Sequence, residues 1–75
     1  MSKYNIYFRV EGQEPELTHV GSCKTFEEAG DFMSDFATGK PEYNWNGYGC
    51  DNWGFGWDGN HKETGIPVAI LALKE

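Results

Sequence analysis

Four side chains of the kind that ligate metals or act as nucleophiles, His19, Cys23, Cys50 and His61, are spread through the 75 residues of this chain. Thiolates and imidazoles are the ligands zinc prefers, but structural zinc sites bring them in closely spaced pairs. Here His19 and Cys23 stand four apart in a strand-like stretch, Cys50 and His61 stand eleven apart, and there is no Cys-x-x-Cys knuckle. The spacing predicts no metal and reads both cysteines as small, mostly buried apolar groups. A Cys–His nucleophile is disfavoured further, because nothing beside either cysteine suggests a lowered thiol pKa and no third, orienting residue can be assigned. Gly47-Tyr48-Gly49 and Gly54-Phe55-Gly56 lack the lysine and the following helix N-terminus that a phosphate loop needs. From Asp51 to Glu63 the calcium-loop pattern fails at Trp53 and Phe55, where oxygen ligands are required. With no hydrolase, kinase or dehydrogenase motif either, the expectation is a protein that is not an enzyme, with no catalytic residues and no cofactor.

Two constellations remain, and both suit binding. Between Pro41 and Asn60, Tyr43, Trp45, Tyr48, Trp53, Phe55 and Trp57 are interleaved with glycines. Such rings can form a platform on which a sugar or nucleobase stacks, with Asn44, Asn46, Asp51, Asn52, Asp58 and Asn60 offering hydrogen bonds at its rim. They can equally form a protein-binding hot spot, or the second half of a small core. In a mixed outcome Trp53, Phe55 and Trp57 pack inward while Tyr43, Trp45 and Tyr48 stay near the surface. The second constellation is Glu27, Asp31 and Asp35, at four-residue steps with no Lys or Arg between them. On a helix these form an acidic ridge whose like charges repel by a few tenths of a kcal/mol per pair, and Asp35 lies where the helix dipole disfavours an anion. The ridge either serves solubility or meets a basic surface, and Glu11, Glu14, Glu16 and Glu42 could extend its field.

The wider charge balance points the same way. Twelve acidic against six basic residues give a net charge of −6, and Lys3, Arg9, Lys24, Lys40, Lys62 and Lys74 are scattered singly. Direct nucleic-acid binding ordinarily needs clustered Lys and Arg, so the expected partner is a protein with a basic surface. A homodimer is also possible. No apolar run reaches the length of a membrane span and the N-terminus reads as no signal segment, so the expectation is a cytoplasmic chain with reduced cysteines.

Positioning these residues requires one small α+β domain over residues 1–75, expected as an antiparallel or mixed sheet of three to four strands with one helix in the order β-β-α-β-β. Tyr4 to Val10 alternates, placing Tyr4, Ile6, Phe8 and Val10 on one face. Glu16 to Cys23 is a weaker strand whose Leu17 and Val20 fall on opposite faces unless a bulge shifts the register. Thr25-Phe26-Glu27-Glu28 is a capping box that starts a helix running to about Thr38, with Phe26, Met33 and Phe36 expected to be buried and Gly39 closing it. Gly30, costly inside a helix, is expected to allow close approach to the sheet. Asn46-Gly47 and Asp58-Gly59 are the strongest hairpin signals. Ile66 to Leu73 is apolar on both faces, so cover is expected on both, the second layer coming from the aromatic segment.

The size, charge and absence of catalytic motifs resemble, in general style rather than in motif, the small accessory proteins of bacteriophages and mobile elements. The resemblance implies an inhibitor that occludes a host nucleic-acid or defence enzyme. The alternative reading is a protein that binds or sequesters a nucleotide or sugar on its aromatic platform.

Overall fold

The elements follow from these local patterns. In the computed structural model, which describes residues 3–50 and 54–74 and only the backbone of Tyr48 and Cys50, the chain runs β1 (Tyr4–Val10), β2 (Leu17–Cys23), α1 (Phe26–Thr38), β3 (Tyr43–Cys50), β4 (Gly54–His61) and β5 (Pro67–Lys74). All pairings are antiparallel and the sheet order is β2-β1-β5-β4-β3. The α+β class and the order β-β-α-β-β are as expected, but the strand count is five rather than three to four. The aromatic segment supplies both extra pairings: β3 pairs with β4, and β4 joins β5.

One face of the sheet carries the core. Ile6, Phe55, Ile70 and Ala72 pack with Ala29 and Met33 of the helix, and Tyr4, Phe8, Val20, Cys23, Trp45 and Trp57 close the edges. A bulge in β2, opposite Ile6 and Tyr7, turns Val20 to this side together with Cys23 and leaves Leu17 42% exposed. At the bulge the Phe32 ring lies against Gly21, where a Cβ would stand 2.7 Å from Phe32 Cζ. The second layer expected from the aromatic segment is not formed. Phe55 and Trp57 point to the same side as the helix, since they pair across the strands with Ala72 and Ile70. Among the described residues, therefore, no element covers the opposite face.

The two Gly dipeptides are not turns either. Asn46-Gly47 marks a bulge inside β3, where the register shifts between Trp45 and Gly47, and Asp58-Gly59 lies within β4. At Gly59 a Cβ would run into the Asn44 carbonyl, so the glycine serves close strand approach rather than reversal. Trp53 lies outside the described residues.

The helix begins where its cap predicts: the Thr25 hydroxyl accepts from the Glu28 amide at 3.1 Å. Met33 is fully buried and Phe36 half-buried, but Phe26 is 48% exposed. As the first helical residue it reaches only the sheet margin, stacking on Phe55 at 4.3 Å and meeting Tyr4 edge-on at 6.5 Å. Gly30 makes no close approach, since a Cβ there would meet nothing within 4 Å. Gly30→Ala is accordingly expected to stabilise the protein by about 1 kcal/mol, through helix propensity alone. Urea denaturation checks this, and a lower midpoint would mean that Gly30 has a contact partner after all.

Candidate functional site

A single helix is about 10 Å wide, whereas five strands spaced about 4.8 Å apart span roughly twice that, so one helix cannot roof the whole sheet. It packs against β5, β1, β2 and β4. Between its C-terminal half and β3 an open groove of about 240 Å³ remains, lined by Ser34, Ala37 and Thr38 of the helix and by Trp45 and Trp57 of the sheet. Trp45 is carried by the bulged part of β3 and Trp57 by β4, both half-buried. The Trp45 indole Nε1 is a buried donor with no hydrogen-bond partner among the described residues. Such an orphan ordinarily costs about 1–3 kcal/mol. Tyr43 continues the aromatic surface, 5.7 Å from the Trp45 ring, 5.7 Å from Phe8 and 5.3 Å from His61. The Tyr48 side chain lies outside the described residues.

Two members of the acidic ridge, Asp31 and Asp35, stand one helical turn before residues that line this groove. Glu27, Asp31 and Asp35 are all exposed, on the side of α1 turned away from Ala29 and Met33. Residues three and four apart on a helix are surface neighbours. Ser34 and Thr38, which line the groove, stand three residues after Asp31 and Asp35 respectively. The last helical turn holds no basic residue, and Lys40 just beyond it places its Nζ over the Phe36 ring, 5.5 Å from the centroid. Ser34, Ala37 and Thr38 were not singled out from sequence. Their spacing from the acidic residues was the signal that could have found them.

Comparisons with protein-family models, curated proteins and solved structures give no match to this chain.

The four metal-ligand types are not brought together as a site among the described residues. The β2 bulge separates His19, whose ring meets Tyr7 edge-on at 5.4 Å on the helix-free face, from Cys23, which packs against the core on the other. His61 serves its own turn: its Nδ1 accepts from the Glu63 and Thr64 amides at 3.1 and 3.3 Å. The Cys50 side chain lies outside the described residues. No group of three His, Cys, Asp or Glu side chains among those described is placed to hold a metal ion. Burial pushes the Cys23 thiol pKa up, and the nearby Glu28 charge adds to the effect, so this cysteine is less thiolate-like than a free one.

A polar chain that the sequence did not reveal lies on the helix-free face. The Ser22 hydroxyl donates to Asn5 Oδ1 at 3.0 Å, and His19 Nε2 stands 3.3 Å from Ser22 Oγ. Ser22 and His19 are exposed. With its proton given to Asn5, the Ser22 hydroxyl is held as a structural link rather than activated by His19. No helix among the described residues is long and apolar enough to cross a membrane.

Proposed function

We propose that this chain is a small, acidic, non-enzymatic binding protein of the cytoplasm that occludes a basic surface of a protein partner. Its contact surface is the ridge of Glu27, Asp31 and Asp35 together with the nearby groove of Trp45 and Trp57, with Tyr43 extending the aromatic side. The observation that carries this reading is that exposed Asp31 and Asp35 stand one helical turn from Ser34 and Thr38, which line an open groove floored by Trp45 and Trp57. An arginine fits that pairing, because its guanidinium can lie over an indole face while its charge meets Asp31 and Asp35. The ridge is kept despite its local cost in helix stability. In the setting of a phage or mobile-element accessory protein, the partner would be a host nucleic-acid or defence enzyme whose basic surface the ridge covers.

A nona-arginine peptide is a direct probe, read by tryptophan fluorescence. Binding should weaken steeply as salt rises from about 50 to about 200 mM, and be lost when Glu27, Asp31 and Asp35 are together changed to lysine. A nona-lysine peptide should bind more weakly, and Trp45→Ala should erase the difference, since a bare acidic field does not distinguish the two cations. Salt-independent binding with a silent triple variant would reduce the ridge to a solubility feature.

The orphaned Trp45 N–H favours a second reading, capture of a nucleotide or sugar whose oxygen accepts from it. The groove volume of about 240 Å³ weighs against this, because small-molecule sites ordinarily run to about 300–1,000 Å³. Saturable binding of a nucleotide or sugar that Trp45→Phe abolishes would reverse that order.

A further inference from the structure

The helix-free face of the sheet has an internal symmetry that a second copy of the chain fits. β5 is its middle strand, flanked by β1 and β4. Three cross-strand rows lie on this face: Arg9–Ala69–Asp58, Tyr7–Leu71–Gly56 and Asn5–Leu73–Gly54. On one side of β5 the rows end in a guanidinium, a phenol ring and an amide. On the other they end in a carboxylate and two bare glycines. Among the described residues, Arg9 and Asp58 are the charged residues at strand positions of this face; Arg9 is 39% exposed and pairs with Glu16 of its own chain at 3.4 Å, leaving the rest of its guanidinium fork open, and Asp58 is exposed.

We infer that the protein forms a homodimer through this face, about a two-fold axis that lies between the sheets and runs along β5. Such an axis sets each position on the β1 side against the corresponding position on the β4 side of the other copy. Arg9 then meets Asp58 of the second chain, and Asp58 meets its Arg9, so the charge pair forms twice. The half-buried Tyr7 ring falls opposite Gly56 of the second chain, a buried position that presents no side chain. Leu71 and Leu73, both partly exposed in the single chain, meet their own copies on the axis and gain the cover that a strand apolar on both faces requires.

The packing and the size agree with this arrangement. Face-to-face sheets keep their strands within about 30° of one another, as an axis along β5 demands, and the offset is met by a small tilt of the axis. Five strands of seven or eight residues make a face on the order of 600 Å² in projection. Corrugation brings that near the roughly 800 Å² per partner of a standard interface. The acidic helices lie on the two outer sides, so the net negative charge does not meet across the contact. The groove and ridge stay open in both copies, which makes this inference independent of the binding reading above.

Sedimentation equilibrium of the wild-type chain and three variants tests it. The wild type should sediment at about 17 kDa, twice the chain mass of 8.5 kDa. Leu71→Asp sets two carboxylates against each other on the axis and should give a folded monomer. Arg9→Asp faces Asp58 of the other copy with a like charge and should weaken the dimer on the order of 100-fold. Arg9→Asp combined with Asp58→Arg restores opposite charges across the axis and should restore the dimer. A wild type that stays at 8.5 kDa up to about 1 mM overturns the inference. So does a dimer that Leu71→Asp and Arg9→Asp leave intact, or a double variant no tighter than Arg9→Asp alone. Circular dichroism checks folding, and if Leu71→Asp does not fold, the two charge variants decide.

Discussion

Phe55→Ala is expected to remove about 3–5 kcal/mol of folding free energy, the cost of truncating a buried phenylalanine. Phe55 is 5% exposed and belongs to the core cluster with Ile6, Ala29, Met33, Ile70 and Ala72. Its ring also holds two others in place, Phe26 stacked at 4.3 Å and Tyr4 edge-on at 5.7 Å, so the cavity would be lined by side chains that lose their own partner. A 75-residue domain has in total roughly 4–11 kcal/mol of stability. The variant should therefore sit near the edge of unfolding at room temperature. Urea denaturation followed by tryptophan fluorescence measures it. A loss under about 1 kcal/mol would mean that Phe55 does not face the helix and that the register of β4 against β5 is wrong by one residue.

Local signals were legible wherever one interaction decided the structure. Thr25 and Glu28 fix the helix start through a single hydrogen bond, and the alternation of β1 fixes which side faces the helix. The uneven pattern of β2 required a bulge, and one is present. What was not legible depended on partners distant in sequence. Asn-Gly and Asp-Gly favour tight turns locally, yet here the pairing of β3 with β4 places both inside strands. Phe26 fits the apolar stripe of α1, but its exposure is set by how far the sheet extends beneath the helix end.

The candidate site divides in the same way. The acidic ridge could be read from spacing alone, because helix geometry fixes it. The groove could not, since Trp45 and Trp57 come within reach of Thr38 only through the strand order β5-β4-β3. That order also explains why, among the described residues, the apolar outer side of β5 finds no second layer. Among the described residues, the aromatic segment extends the sheet, and Phe55 and Trp57 face the helix side.

Gly56→Ala and Gly49→Ala should differ sharply although the two glycines are cross-strand partners in β4 and β3. A Cβ on Gly56 would run into the Ile70 carbonyl and stand 3.0 Å from Leu71 Cα, both of them backbone of the central strand β5. No rotamer change relieves such a contact, so β4 and β5 must part. The cost should reach about 3 kcal/mol, the upper end for overpacking a core. A Cβ on Gly49 would meet nothing within 4 Å. There the substitution only removes the conformational freedom of glycine from the unfolded chain, and should be neutral or stabilising by up to about 1 kcal/mol. Both variants gain one methyl group in facing positions of the same ladder, and the edge-against-interior difference in strand propensity, up to about 1 kcal/mol, is smaller than the expected cost at Gly56. The close approach of β4 to β5 separates them. Equal midpoints in urea for the two variants would show that β4 does not lie so close to β5.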